Sequence, residues 1–145
     1  MRGLYQELII DHGKKPRNRY RMEDYDYIMV GNNPLCGDRL VVYIKEVNVI
    51  IDAVSFEGEG CAISMASASL MTQALAGKTR EQAQDIFDKF HAMLTKDEPI
   101  DEEFLGKLCA LSGVKEYPVR VKCATLPWHA LNAAFDQPND EVSTE

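Results

Sequence analysis

An α+β fold is predicted for this chain: a three-stranded antiparallel sheet with helices packed on one face. Three observations predict it. Strand-like runs come first, at residues 25–30, 39–46 and 49–57, with apolar and polar residues alternating in places. Val47-Asn48 separates the last two runs so closely that a tight antiparallel hairpin is expected. After Gly58-Glu59-Gly60 the pattern becomes helical and stays so, and segregation of strands from helices along a chain favours α+β over α/β.

The elements follow in order. Leu4, Tyr5, Leu8 and Ile9 share one face of a short first helix. Residues 13–21 are basic and broken by Pro16. After the strands, residues 63–76 are rich in Ala, Met and Leu, and Gly77 is a natural stop. Thr79 and Gln82 fit a capping box. Behind them Ala83, Ile86, Phe87, Phe90 and Leu94 recur at helical spacing, which marks a core-facing helix ended by Pro99. A shorter helix is expected over 102–111, stopped by Gly113. A loop then leads to Cys123, and a last helix is expected from near Thr125, with Pro127 in its first turn. Residues 137–145 read as a polar tail, so the predicted organisation is one domain over 1–136 followed by that tail.

With 145 residues the chain suits a single core. Its net charge of −7 argues against a nucleic-acid footprint, which needs a basic face. No apolar run is long enough to span a bilayer. The N-terminal residues read directly into an amphipathic helix with no signal-peptide apolar region, so a cytoplasmic protein is expected. In a reducing compartment the four cysteines Cys36, Cys61, Cys109 and Cys123 serve as metal ligands, nucleophiles or core fillers rather than as disulfides.

Cys36, Cys61 and Cys123 are each placed by the pattern at a turn or junction. Cys36 lies in the turn Asn33-Pro34-Leu35-Cys36-Gly37-Asp38, Cys61 opens a helix after Gly-Glu-Gly, and Cys123 stands just before the expected last helix. A helix N-terminus favours the thiolate, the form that binds metal or attacks sulfur. Asp38 follows Cys36 by two residues, and such residues point to one side of an extended segment. Three thiolates and one carboxylate make a tetrahedral set for zinc, and iron–sulfur ligation also uses thiolates. The spacing is not that of a zinc finger, and on pattern alone three unrelated, partly buried thiols remain an alternative. Cys109 sits in a helical apolar stripe and reads as core filler. The basic cluster Lys14, Lys15, Arg17, Arg19 and Arg21 is either a solvated face or a docking patch for a partner, with Lys14, Lys15 and Arg17 as its foremost residues.

Four segments together make the chain recognisable. They are Asp11-His12 with Pro16-Arg17-Asn18; Asn33-Pro34-Leu35-Cys36-Gly37-Asp38; Gly58-Glu59-Gly60-Cys61-Ala62-Ile63-Ser64; and Val119-Arg120-Val121-Lys122-Cys123-Ala124-Thr125-Leu126. With these motifs in this order the sequence resembles the U-type iron–sulfur cluster assembly proteins, the IscU/NifU/SufU superfamily, from about Leu4 to Phe135. Within it, Lys122 stands where the scaffold branch has a histidine before the third cysteine. Only Tyr117-Pro118-Val119 is similar to that branch's chaperone-binding segment, and the region around residues 89–116 looks longer. These departures resemble the SufU branch. The resemblance implies a SufE/NifU-like fold and zinc on Cys36, Asp38, Cys61 and Cys123. It also implies persulfide acceptance from a cysteine desulfurase of the SufS type, with sulfur passed to downstream cluster-assembly proteins. A partner imidazole is expected to displace one cysteine from zinc. Cys36, on its flexible turn, is the expected acceptor, and Arg120 is placed to hydrogen-bond a ligand and offset its charge. The alternative role is a non-enzymatic scaffold that holds a [2Fe–2S] cluster or iron.

Overall fold

The computed structural model describes residues 2–34, 36–136 and 141–143, with side chains from Tyr5 to Asp136 apart from Leu35. Helix α1 (Arg2–Lys14) is followed by strands β1 (Tyr27–Asn33), β2 (Asp38–Val47) and β3 (Ile50–Glu59), then helices α2 (Ala62–Leu75), α3 (Arg80–Thr95) and α4 (Glu102–Leu105). A 3₁₀ segment (Gly106–Glu116), helix α5 (Pro118–Asp136) and strand β4 (Glu141–Ser143) complete the chain. No helix among the described residues is long and apolar enough to cross a membrane.

The expected antiparallel sheet is present: β1 pairs with β2 and β2 with β3. The helices gather over the face that carries Met29, Val42, Ile44 and Val54, and Phe90 and Trp128 complete that core. Four elements depart from expectation. Strand β1 runs to Asn33 rather than Val30, because pairing with β2 holds Gly31, Asn32 and Asn33 extended despite their weak strand propensity. The tail contributes β4, which pairs in parallel with the free edge of β1 at Val30, Gly31 and Asn32. Backbone pairing of this kind needs no apolar side chains, so a polar tail gives no sign of it. Residues 137–140 and 144–145 of that tail lie outside the described residues. The helix expected over 102–111 stops at Gly106, whose φ of +55° breaks the α-helix, and tighter turns continue past Gly113.

The fourth departure concerns the site directly. The last helix begins at Pro118, not near Thr125, and no loop leads to Cys123. Proline costs nothing in a first turn, where its missing N–H has no partner anyway. Pro127 instead lies inside the helix and leaves the Cys123 carbonyl without its helical donor. An interior proline costs about 3 kcal/mol. Burial of Leu126, Trp128 and Leu131 around it, at about 1.5–3 kcal/mol each, outweighs that cost. Trp128 stacks on Phe90 with ring centroids 4.7 Å apart, and its Nε1–H donates to Ser67 Oγ at 3.0 Å. Ser67 Oγ–H in turn donates to the Ala124 carbonyl, so the helix carrying Cys123 is pinned to the one that Cys61 opens. The capping box at the start of α3 forms as predicted, with Thr79 Oγ1 accepting from Gln82 N–H at 3.1 Å and Gln82 Oε1 from Thr79 N–H at 3.0 Å.

Candidate metal centre

The β1–β2 hairpin places the first two groups. Asn33 and Asp38 are cross-strand partners, so residues 34–37 form the connection. The Cys36 N–H donates to the Asn33 carbonyl at 3.2 Å, and Gly37 turns the chain back with φ +72°. Cys36 is half-buried on this turn, while Asp38 at the start of β2 is fully buried.

The helices supply the other two cysteines. Cys61 is the N-cap of α2: its Sγ accepts from the Ser64 N–H at 3.4 Å, and its own N–H donates to Asp38 Oδ1 at 2.7 Å. Cys123 is the sixth residue of α5 and is fully buried. The helix-terminus argument therefore holds for Cys61 and not for Cys123. Instead, Asn33 Nδ2–H donates to Cys123 Sγ at 3.7 Å. The Cys123 thiol lies 2.9 Å from Cys36 Sγ, well beyond a covalent S–S bond of about 2.05 Å.

Cys36 Sγ, a carboxylate oxygen of Asp38 and Cys123 Sγ all lie within 4.8 Å of one another, within reach of one ion. Cys61 stands beside this group rather than inside it, with its sulfur on the helix cap. Asp38 Oδ2 is buried and meets no donor among the described residues. A lone buried carboxylate oxygen is costly unless a cation or a proton meets it. Burial first, then the neighbouring Cys36, Asp38 and Cys61, pushes the Cys123 thiol far above its ordinary range. A cation in the cluster would relieve both conditions, and a set dominated by sulfur with one hard oxygen suits zinc.

Above the cluster, exposed Arg120 is held further in its charged form by Cys61 first and then by Cys123. It belongs to an open cleft of about 570 Å³ lined by Cys36, Glu116, Tyr117, Pro118, Val119 and Arg120. Among the three ligand sulfurs expected from the sequence, Cys36 alone lines this cleft. Cys109 is buried in the core, away from this group, and burial raises its thiol. Lys14 and Lys15 are exposed, but Arg17 is turned inward on itself: its guanidinium bonds Asp11 at 2.6 Å and the Lys15 carbonyl at 3.2 Å. His12, within the same N-terminal motif, is buried with Nδ1 2.6 Å from Ser69 Oγ, which also accepts the Arg17 N–H at 2.8 Å. That motif fastens α1 to α2. Reading the sequence for side-chain donors missed two residues that touch the cluster, Asn33 and Gly60. Both lie within the quoted cysteine motifs, but neither is a ligand type, so only their contacts reveal what they do.

Residues 4–124 match the family model described as NifU-like N terminal domain. The chain is 47% identical over 128 residues to the zinc-dependent sulfurtransferase SufU of Bacillus subtilis (strain 168), covering 88% of this chain and 86% of that protein. It is 37% identical over 132 residues to the iron–sulfur cluster assembly scaffold protein IscU of Streptococcus pyogenes serotype M1, covering 91% and 82%. A crystal structure described as a candidate iron–sulfur cluster assembly scaffold for the SUF system of Fervidobacterium islandicum AW-1 superposes with a TM-score of 0.83. It shares 36% identity and covers 88% of this chain and 93% of its own.

Proposed function

This chain belongs to the NifU-like N-terminal domain family, and from that membership we propose that it is an iron–sulfur cluster assembly protein acting as a zinc-dependent sulfurtransferase. The observation that carries the reading is the convergence of Cys36, Asp38 and Cys123, together with a buried Asp38 oxygen that lacks a donor. Cys36, Asp38, Cys61 and Cys123 would hold the metal, with Cys61 leaving its helix cap to join the other three. Bound zinc would keep the sulfurs deprotonated and fixed, without redox chemistry of its own.

Cys36 is the acceptor. The donor is a cysteine persulfide on a partner enzyme, a cysteine desulfurase of the SufS type. The Cys36 thiolate attacks the outer sulfur of that persulfide. A new S–S bond forms at Cys36, the donor's S–S bond breaks, and the electron pair leaves on the donor thiolate. The negative charge lost at the Cys36 sulfur reappears on the donor thiolate and the transferred sulfur keeps its oxidation state, so no oxidant or reductant is consumed. Position selects Cys36: it lies on a turn and lines the cleft, whereas Cys61 caps one helix and Cys123 is buried inside another. Arg120 at the mouth of the cleft offsets the anionic sulfurs. Lys14 and Lys15 steer an acidic partner towards the protein. The persulfide then passes to downstream cluster-assembly proteins.

Relatives named as scaffolds support a second reading, in which the same four groups hold a [2Fe–2S] cluster as cargo. Metal analysis and an absorption spectrum of protein purified without added metal separate the two. Colourless protein with about one zinc per chain is expected for sulfur transfer, and brown protein with visible charge-transfer bands for the scaffold.

A further inference from the structure

The two oxygens of Asp38 are treated differently. Oδ1 accepts the Cys61 N–H at 2.7 Å, and Oδ2 meets no donor. That N–H reaches the carboxylate only because residue 60 has no side chain. A Cβ on Gly60 would stand 2.6 Å from Asp38 Oδ1, 3.1 Å from its Cγ and 3.2 Å from its Cβ. The three nearest atoms all belong to Asp38, and the carboxylate is buried, so it has little room to swing aside. Gly60 is not among the residues with positive φ, so its backbone alone would admit alanine. The need for glycine at this position comes from the neighbouring carboxylate.

We propose that Gly60 is a positioning residue for Asp38: by leaving its Cβ out, it lets the Cys61 N–H hold Oδ1, so that Oδ2 alone is presented to a cation shared with the cysteines. The inference rests on the metal centre proposed above. It adds how the one oxygen ligand is tuned. A carboxylate that already accepts a hydrogen bond is fixed in orientation, and it gives up part of its charge to that bond. The Gly60–Cys61 peptide thus sets both the aim of Asp38 and the strength of its hold.

The test is a cycle of four zinc-loaded proteins: wild type, Gly60→Ala, Asp38→Ala and the double variant. Each is read by the rate of zinc transfer to a colorimetric chelator and by the visible absorption bands of the cobalt(II)-substituted protein. Gly60→Ala should change zinc release about 10-fold, in the same direction as Asp38→Ala, and shift the cobalt bands the same way. In the Asp38→Ala background it should add less than about twofold. An equal effect in both backgrounds, or a Gly60→Ala protein indistinguishable from wild type, overturns the proposal. If Asp38→Ala itself releases zinc as wild type does, Asp38 is no ligand and the metal-centre reading fails instead, taking this inference with it. Should Gly60→Ala not fold, the double variant decides. Removing the carboxylate takes away the two nearest atoms, at 2.6 and 3.1 Å, and leaves the Asp38 Cβ at 3.2 Å as the nearest neighbour, so the double variant should recover the fold. A double variant as unfolded as the single one overturns the proposal.

Discussion

Strand β2 turns over at both ends, and each end carries an unfavourable feature of a different kind. At the far end Val47 and Ile50 pair across Asn48-Val49, whose φ values of +52° and +61° are those a type I′ hairpin requires. Val49 is β-branched and 75% exposed, so it holds a left-handed conformation at a cost of about 1–2 kcal/mol and touches little in return. At the near end residues 34–37 turn the chain, and Asp38 goes into the interior with one oxygen unsatisfied beside two thiols. The cost at Val49 is conformational and nothing can bind to relieve it. The cost at Asp38 is electrostatic and a cation would relieve it. One strand thus separates a purely structural hairpin from one whose instability a bound cation would relieve.

Removing metal should widen this contrast most. Without a cation the buried Asp38 oxygen is left without a partner and the ligand groups lose the ion that would join them. Chelation should lower the melting temperature by about 10 °C or more, which is on the order of 4 kcal/mol for tightly bound metal. An unchanged melting curve after verified zinc loss would remove the electrostatic half of the comparison. Reversing Lys14 and Lys15 to glutamate should slow desulfurase stimulation about tenfold at low salt and much less at high salt, with zinc content unchanged. Equal stimulation at low salt would make those lysines an ordinary solvated surface. Cys109→Ala should cost about 1 kcal/mol of stability through lost packing while zinc content and sulfur acceptance stay at wild-type level. A metal-free Cys109→Ala protein would show that the fourth ligand is misassigned. The smallest effect belongs to the far hairpin. Val49→Gly should raise stability by about 0.5–1 kcal/mol, equally with and without zinc. A zinc-dependent effect would mean that the two ends of β2 are coupled.

The candidate ligands were easier to name from the sequence than the elements that carry them. Ligand residue types stand out in any chain, so Cys36, Asp38, Cys61 and Cys123 could be named before their positions were known. The layer order and the α3 capping box were equally legible, because periodicity and capping are local properties. What stayed hidden depends on contacts between distant segments. The α5 start at Pro118 was obscured because Pro127 looked like a first-turn proline, and only tertiary burial makes an interior one tolerable. The extension of β1 through Gly31-Asn32-Asn33 and the β4 pairing are decided by the partner strand, not by propensity. Asn33 and Gly60 were hidden for a related reason: one acts by a single long hydrogen bond to sulfur, the other by an absent side chain.

The central claim is that Cys36, and not a helix-anchored cysteine, receives the sulfur. The direct measurement mixes the zinc-loaded wild-type chain with a cysteine desulfurase and cysteine, alkylates the products, and locates the added sulfur by mass spectrometry of the peptides. Cys36→Ala, Cys61→Ala and Cys123→Ala are run in parallel with metal analysis. The account predicts the extra sulfur on the Cys36 peptide, a Cys36→Ala protein that keeps measurable zinc but accepts none, and Cys61→Ala and Cys123→Ala proteins inactive mainly through loss of metal. Extra sulfur on Cys61 or Cys123 of the wild-type chain, with Cys36 unmodified, would contradict it.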